Sequence, residues 1–237
     1  MDQKNLQEYL DRNPFVKLGD AVAELLFNEI VSLNLAPSTK LNINNISKEL
    51  GISRTPVTEA INQLCSIGFV EIRPNTSGYY VSALTMQELI NLYNARAAIE
   101  SEAAYLCAET ASYDLIAGLE NYASVFKQAF HRRDSQALKE VEMPFHRMII
   151  DNCGNKYLQS CYEQLLPPLT RYQNYYTEFV NTDINNPWSH RCSHQHSAIV
   201  SAIKMHMPAL ARQLMNEHIR TAINQAAFSY NNPIPIR

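Results

Sequence analysis

The residues best suited to chemistry in this 237-residue chain are one glutamate and three histidines. Glu142 and His146 are four positions apart, so on a helix the carboxylate and the imidazole share one face. His196 and His218 fall in later segments and can join them if those segments are inward-facing helices. Three imidazoles and one carboxylate suit Zn²⁺, Ni²⁺, Mn²⁺ or Fe²⁺ and leave a position open for water or a ligand oxygen. The pattern therefore indicates a candidate divalent-metal site.

Spacing alone leaves alternatives open. The chain has seven histidines, so an acid four residues from one of them is expected by chance, and a buried histidine is more often held by ordinary hydrogen bonds. His190 and His194 are close enough to His196 to replace it as a ligand. A Glu/His metal site can also activate water, so a helical metal-dependent hydrolase is one alternative function and a direct metal sensor is another.

Helical periodicity dominates the segments that carry these residues. The stretch from Thr85 to Glu88 has a capping-box pattern and predicts a helix start. From there to about residue 230, apolar residues recur at helical spacing without convincing strand alternation, which predicts an all-α bundle of six or seven helices. In one of these helices Tyr157, Cys161 and Leu165 are predicted to form the buried stripe.

A second informative region spans residues 51–70, which we interpret as a turn, a capped helix and the beginning of a strand. Gly51 can adopt the positive φ that ends a preceding helix, Ser53 can cap the next one, and Pro56 suits its first turn. Two strands follow around a turn at residues 74–78. Together these elements predict a winged helix-turn-helix with a small β-wing, whose second helix presents side chains to the major groove of DNA.

Two stretches of this sequence resemble known families. The run Gly51-Ile-Ser-Arg-Thr-Pro-Val57, with the Glu59-Ala60, Gly68 and Gly78 that follow, resembles the DNA-binding signature of GntR transcription regulators. Glu142 to His146, His196 to Ile199 and Glu217-His218 resemble the three blocks of the FCD effector domain found in FadR-like GntR regulators, and Asn91 to Arg96 with Glu100 resembles its opening helix. The resemblance extends from Lys17 to about Gln225.

For the helical domain, the resemblance implies a divalent metal ion whose coordination is completed by a small organic carboxylate effector. Carried onto this sequence, the implied metal ligands are Glu142, His146, His196 and His218. Arg96 is the candidate cation for the effector carboxylate, with Tyr93 one turn earlier; the alternatives are an internal Arg96–Glu100 pair and a Tyr93 that belongs to the core. In this domain the chain departs from the family in two ways: Glu142 replaces the usual aspartate, and Pro144, between Glu142 and His146, can distort the helix that aligns them.

For the first domain, the resemblance implies binding of double-stranded operator DNA. Arg54 is expected to contact guanine or phosphate, and the wing is expected to approach the minor groove. Thr58 and Asn44 stand where many family members carry arginine, so the operator sequence cannot be inferred from relatives. The residues predicted to contact DNA are Asn44, Ser53, Arg54, Thr55, Thr58, Gly78 and Tyr79.

Charge and composition lead to expectations about DNA contacts, oligomeric state and localisation. Residues 1–82 hold seven basic and nine acidic side chains, a net charge of −2, so each copy should make few phosphate contacts. We therefore expect a homodimer on a near-palindromic site. The sequence has no run of eighteen apolar residues and its N-terminus lacks a signal-peptide pattern, which predicts a cytoplasmic protein without a membrane partner; its five scattered cysteines are expected to be reduced.

The expected domain organisation is an N-terminal arm at residues 1–16 and a DNA-binding domain at 17–82. A helical effector-binding and dimerisation domain at 83–230 and a tail at 231–237 follow. We expect at most a short helical turn in the arm, and a loop at residues 181–188. The expected function is a ligand-responsive transcription regulator, a repressor in preference to an activator, and not an enzyme.

Overall fold

The chain divides into two compact units, Met1–Leu84 and Thr85–Arg237. The computed structural model describes residues 1–73, 78–179 and 187–231, and for residues 135, 176–179, 187–193 and 225–231 it describes the backbone alone. In these described parts, no helix has both the length and the apolar character needed to cross a membrane. The architecture is mainly helical with one small sheet, as the sequence predicted.

The first unit is a winged helix-turn-helix. Its helices are α1 (Gln3–Arg12), α2 (Leu18–Val31), α3 (Ile43–Leu50) and α4 (Arg54–Ser66), and its strands are β1 (Lys40–Leu41), β2 (Val70–Arg73) and β3 (Gly78–Val81). The antiparallel sheet has the order β1-β3-β2. Lys40 lies opposite Tyr80 and Val70 opposite Val81. The sequence analysis missed β1, and the wing residues between Arg73 and Gly78 lie outside the described residues.

Local signals explain how the α3–α4 pair forms. The Asn42 side chain accepts hydrogen bonds from the backbone N–H groups of Asn44 and Asn45, which caps α3. Gly51 ends α3 with φ 66°, as predicted. Ser53 occupies the N-cap position of α4, but within the described residues its side chain makes no capping hydrogen bond, so that part of the prediction was wrong.

The buried face of α4 orients the helix. This face packs against α2, which contributes Val22, Leu26 and Ile30 to the same core; on α4 it comprises Pro56, Val57, Ala60, Ile61 and Leu64. Burial of this face leaves Arg54 and Thr55 exposed at the N-terminal end of the helix.

Residues 1–16 differ from the expected loose arm, because Gln3–Arg12 form a helix of ten residues. Asp2 caps it by accepting a hydrogen bond from the Asn5 N–H at 2.9 Å. Leu6 is only 4% exposed and joins the core of the first unit. Tyr9 and Leu10 follow Leu6 at helical spacing and pack against the same core, but three apolar residues in a polar stretch give a weak periodic signal, and tertiary packing stabilises the helix.

We expect Leu6→Ala to loosen α1 and to destabilise the first unit by about 2–5 kcal/mol, the usual cost of truncating a buried leucine. Hydrogen exchange at the amides of α2 and α3 would report this loss locally. Phe15→Ala is the matched control, because that side chain is 99% exposed and should change exchange little. Equal exchange in the two variants would mean that α1 contributes no packing energy.

Six helices form the described part of the second unit, which agrees with the predicted six or seven. They are α5 (Met86–Thr110), α6 (Tyr113–Arg132), α7 (Ser135–Asn152), α8 (Lys156–Phe179), α9 (Pro187–Lys204) and α10 (Pro208–Asn231). The Thr85 hydroxyl caps α5 by accepting from the Glu88 N–H, as the capping-box pattern predicted. Pro208 begins α10, where its missing N–H has little cost.

Helix α5 is the centre of this bundle and contacts α7, α8, α9 and α10. Small residues allow the neighbouring helices to approach closely, and α5 buries Ala97, Ala103, Ala104 and Ala108. The α7 helix continues through Pro144 and α8 through Pro167 and Pro168. The backbone that carries the predicted ligands of α7 is therefore helical across its proline.

The predicted stripe on α8 was displaced by one residue. Tyr157 is 72% exposed and Cys161 is also exposed, whereas Tyr162 is fully buried in the core. The buried face of α8 is the one that packs against α5 and α7, and the sequence pattern did not resolve which of the adjacent positions that face includes. Of the predicted loop, residues 181–186 lie outside the described residues and α9 begins at Pro187; residues 232–237 of the predicted tail also lie outside them.

Candidate metal centre and nucleic-acid interface

The structure brings the four predicted metal ligands together inside the second unit. Glu142 and His146 extend from α7, His196 from α9 and His218 from α10. One ligand atom from each lies within 4.8 Å of the others. That spread is close to the ~4 Å across a coordination sphere with metal–nitrogen bonds of about 2.1 Å. The three imidazoles are buried, and the Glu142 side chain is 23% exposed.

Glu142 lies at the centre of the cluster. Its Oε1 atom is 3.3 Å from His146 Nε2 and 3.8 Å from His218 Nε2, and its Oε2 atom is 3.4 Å from His196 Nε2. The Nε2 atoms of His146 and His218 are 3.2 Å apart. Ring nitrogens of three histidines thus converge on one carboxylate, which is the arrangement that a divalent cation needs.

His196 supports the fit to a metal ion most directly. Within the described residues, neither of its ring nitrogens has a hydrogen-bond partner, and the Glu142 Oε2 atom is buried without one. Phe126 and Phe145 contact the imidazole edge-on at centroid distances of 4.3 and 4.5 Å. A buried imidazole without a partner has a high desolvation cost, and a bound cation would supply the missing interaction.

The electrostatics of Glu142, His196 and His218 suit a bound cation. Burial lowers the pKa of His196 well below its ordinary value and also lowers the pKa of His218. Burial alone would raise the pKa of Glu142, but the neighbouring imidazoles, with His196 foremost, hold it well below its ordinary value. An ionised carboxylate and neutral imidazoles are the protonation states in which these groups bind metals.

A buried chain of charged groups connects α5 to the cluster. Arg96 donates from Nε to Glu100 Oε1 at 2.5 Å, and Glu100 Oε2 lies 2.5 Å from His146 Nδ1. Burial opposes the charged form of Glu100, but the charges of Arg96 and His146 lower its pKa. Burial likewise opposes the charged form of His146, whereas the Glu100 carboxylate raises its pKa.

Arg96 therefore satisfies both alternatives that the sequence left open. Its Nε pairs with Glu100, while Nη2 is buried and has no hydrogen-bond partner in the described part of the chain. Half-buried Tyr93 lies beside it, with the guanidinium carbon 5.3 Å from the ring centroid. The Tyr162 hydroxyl is a second buried group without a partner among the described residues. A free guanidinium donor suits an anionic group of a ligand.

A separate hydrogen-bond network contacts His218. Its Nδ1 atom is 3.2 Å from Gln195 Oε1, and Gln195 donates from Nε2 to Thr221 Oγ1 at 3.0 Å. The Thr221 hydroxyl in turn donates to the Glu217 carbonyl at 2.8 Å. His194, an alternative ligand on the same helix, is exposed, and His190 lies outside the residues with described side chains.

Sequence reasoning missed four members of this site, and their signals differ. Glu100 was noticed only as a partner of Arg96; its position four residues from Arg96 does not reveal that its second oxygen faces His146. Gln195 and Thr221 gave no signal, since an amide and a hydroxyl on helices are common. Tyr162 was missed because the predicted stripe on α8 was one residue out of phase.

The predicted DNA-contacting residues lie on the helix-turn-helix and the wing. Ser53, Arg54 and Thr55 are exposed around the N-terminus of α4, and Asn44 is exposed on α3. Thr58 is half-buried, and its hydroxyl donates to the Arg54 carbonyl at 3.0 Å. Exposed polar residues at the start of a helix are accessible to a DNA groove.

The predicted wing contacts are less exposed to solvent than the residues at the start of α4. Gly78 and Tyr79 are half-buried on β3, and the Tyr79 hydroxyl lies 3.5 Å from Asn62 Oδ1 on α4. Arg73 on β2 donates to Glu71 and to the Ser38 hydroxyl at 2.7 and 2.9 Å.

Comparison with protein-family models gives two matches. Residues 91–221 match the model described as the FCD domain, and residues 18–81 match the model described as bacterial regulatory proteins of the gntR family. The FCD match includes all four candidate ligands together with Arg96 and Glu100. Helix α1 precedes both matched ranges.

Individual relatives and solved structures agree with these matches. The chain is 25% identical to the HTH-type transcriptional repressor GlaR of Escherichia coli K12, over 84% of this chain and 90% of that protein. It is 24% identical to the HTH-type transcriptional repressor RspR of the same strain, over 88% of each chain. Among solved structures, E. coli McbR/YncC has a TM-score of 0.64 at 22% identity, covering 92% of this chain and 99% of that one. At this identity the last comparison shows the fold alone.

Proposed function

Because this chain belongs to the gntR family of bacterial transcriptional regulators and carries an FCD domain, we propose that it is a cytoplasmic repressor whose operator binding responds to a small organic carboxylate. Its relatives are DNA-binding regulators and not enzymes, so the hydrolase alternative is set aside. The observation that carries the sensing half of the proposal is the buried convergence of Glu142, His146, His196 and His218.

In this proposal, the four converging side chains hold a divalent metal ion. When bound, the ion would supply an electrophilic centre for an oxygen atom of the effector. The Arg96 guanidinium would bind the effector carboxylate through its free Nη2 donor. Tyr93, whose ring centroid is 5.3 Å from the guanidinium carbon, would lie beside the bound effector. The longer glutamate at position 142 reaches all three imidazoles, so the departure from the family's aspartate is compatible with binding.

The first unit would bind operator DNA through the exposed N-terminal end of α4. Arg54, Ser53 and Thr55 are the proposed contacts, with Asn44, Thr58, Gly78 and Tyr79 at the edges of the surface. With a net charge of −2 over residues 1–82, one copy offers few phosphate contacts. A homodimer would therefore bind a near-palindromic operator. An effector alters DNA affinity only if it binds the two DNA-binding states of that dimer unequally.

We expect the purified full-length chain to retain about one divalent ion per subunit through dialysis, because four ligands are already gathered in the fold. His196→Ala should reduce the bound metal at least about tenfold. His194→Ala is the matched control: it removes an exposed histidine two residues away on the same helix and should leave the metal content unchanged. Elemental analysis of the three proteins measures the result.

Two outcomes would overturn the metal part of the proposal: metal-free wild-type protein after growth with Zn²⁺, Ni²⁺, Mn²⁺ and Fe²⁺, or equal metal content in both variants. DNA binding is tested separately by selecting duplexes from a random pool and titrating the selected site. Release from DNA on addition of a carboxylate from a panel supports the effector assignment. Release that follows only metal removal, with no response to any carboxylate, identifies a direct metal sensor instead.

A further inference from the structure

We propose that Glu100 and Gln195 are positioning residues that hold His146 and His218 in the tautomer with the proton on Nδ1, so that both Nε2 lone pairs face Glu142. The inference rests on the metal site of the proposed function and assigns roles to two residues outside its set of ligands. The position of each imidazole proton follows from which neighbouring atoms can only donate and which can only accept a hydrogen bond.

For His218, the Glu217 carbonyl at the other end of the hydrogen-bond network sets the donor and acceptor of every bond in it. The Glu217 carbonyl can only accept, so the Thr221 hydroxyl proton is committed to it. Thr221 Oγ1 must then accept from the amide group of Gln195 at 3.0 Å. This orients the Gln195 amide with its oxygen toward His218 Nδ1, 3.2 Å away. Because an amide oxygen only accepts, Nδ1 carries the proton.

For His146 the same conclusion follows from charge. Glu100 accepts from Arg96 Nε through one oxygen, and its other oxygen lies 2.5 Å from His146 Nδ1. An ionised carboxylate has no proton to donate, so the hydrogen between these atoms belongs to Nδ1. With that proton on Nδ1, the neutral form of the ring, which is the form that binds a metal ion, has its lone pair on Nε2.

These assignments place two lone pairs opposite each other, 3.2 Å apart. Two acceptors at this distance repel unless a cation or a shared proton lies between or beside them. His196 differs, because its Nε2 atom lies 3.4 Å from Glu142 Oε2, whereas its Nδ1 atom has no hydrogen-bond partner within the described residues. The site therefore has two imidazoles with a fixed orientation and one whose tautomer no described neighbour sets.

Glu100→Gln gives a sharp test. Arg96 Nε can only donate, so the new amide oxygen must face it, and the amide N–H₂ group then faces His146 Nδ1. That position becomes an acceptor, the proton moves to Nε2, and the lone pair leaves the cluster. We expect the Co²⁺ affinity of the metal-free full-length chain, measured by visible absorption titration at pH 8, to fall about 10- to 100-fold.

Glu102→Gln is the matched control on the same helix, since Glu102 is partly exposed and pairs with Arg212 at 2.6 Å. It should leave the Co²⁺ affinity unchanged. If Glu100→Gln fails to fold, Gln195→Leu carries the test: it removes the acceptor for His218 and should weaken Co²⁺ binding about tenfold. Gln195→Glu restores an acceptor for His218, so this variant should bind Co²⁺ about tenfold more tightly than Gln195→Leu.

Tautomers are read independently of affinity by imidazole ¹H–¹⁵N NMR of the Zn²⁺-loaded wild-type chain. His146 and His218 should show Nδ1 protonated and Nε2 bound to the ion. Protonated Nε2 in either ring, or unchanged Co²⁺ affinity in both Glu100→Gln and Gln195→Leu, would overturn this inference while leaving the metal site intact. A wild-type chain that binds neither Co²⁺ nor Zn²⁺ would instead overturn the proposed function on which it rests.

Discussion

Arg54→Ala is expected to weaken sequence-specific DNA binding by the full-length chain strongly. Arg54 begins α4 and is exposed, whereas the opposite face of that helix is buried against α2. A bidentate arginine–guanine contact is worth about 1–3 kcal/mol. In a symmetric dimer the loss occurs twice, about 2–6 kcal/mol in total, which corresponds to a decrease in affinity of roughly 30-fold to 20,000-fold.

Arg12→Ala separates this effect from the loss of positive charge alone. Arg12 is also exposed and belongs to the same unit, but it ends α1, outside the helix-turn-helix. Its removal should weaken binding by a modest factor that does not depend on sequence. Fluorescence anisotropy with the selected duplex and with a scrambled duplex distinguishes the two. An equal loss in both variants would mean that α4 does not read the DNA.

The sequence predicted the elements with strong local signals. Gly51, with its positive φ, and the capping pair Thr85 and Glu88 lie where their residue types require, so the helix-turn-helix and the start of α5 were located correctly. Helix α1 and strand β1 were missed for the opposite reason. The apolar stripe of α1 has only three members, Leu6, Tyr9 and Leu10, and the two residues of β1 are strand only because β3 lies beside them.

In the candidate site, too, local spacing predicted some residues, whereas others depend on tertiary packing. Glu142 and His146 share a helix face, so their proximity follows from spacing, and the later histidines were included through family resemblance. The partners of their outer nitrogens depend on how α5 and α9 pack against α7 and α10, which no local pattern encodes. Gln195 precedes His196 directly, yet it serves His218 on another helix.

Arg96→Ala is expected to destabilise the second unit by about 3–5 kcal/mol, because it leaves the carboxylate of Glu100 buried without its cationic partner. Both side chains of the pair are almost fully buried, at 3% and 1% exposure. Arg212→Ala is the control, since it breaks an ion pair of 45% and 42% exposure with Glu102 on the same helix. Such a surface pair contributes only about 0–1 kcal/mol. Urea denaturation followed through the helical signal measures both losses.

A paired replacement tests whether the cost comes from the unpaired charge. Arg96→Met combined with Glu100→Leu fills a similar volume with apolar groups and should recover most of the stability that Arg96→Ala loses. If the double variant remains as unstable as Arg96→Ala, the loss comes from packing and not from charge. If it is stable, folding alone does not require an ion pair here. Its retention would then be explained by the buried Arg96 Nη2 donor and by the contact of Glu100 Oε2 with His146 Nδ1, and the stable double variant should have lost most of its Co²⁺ affinity.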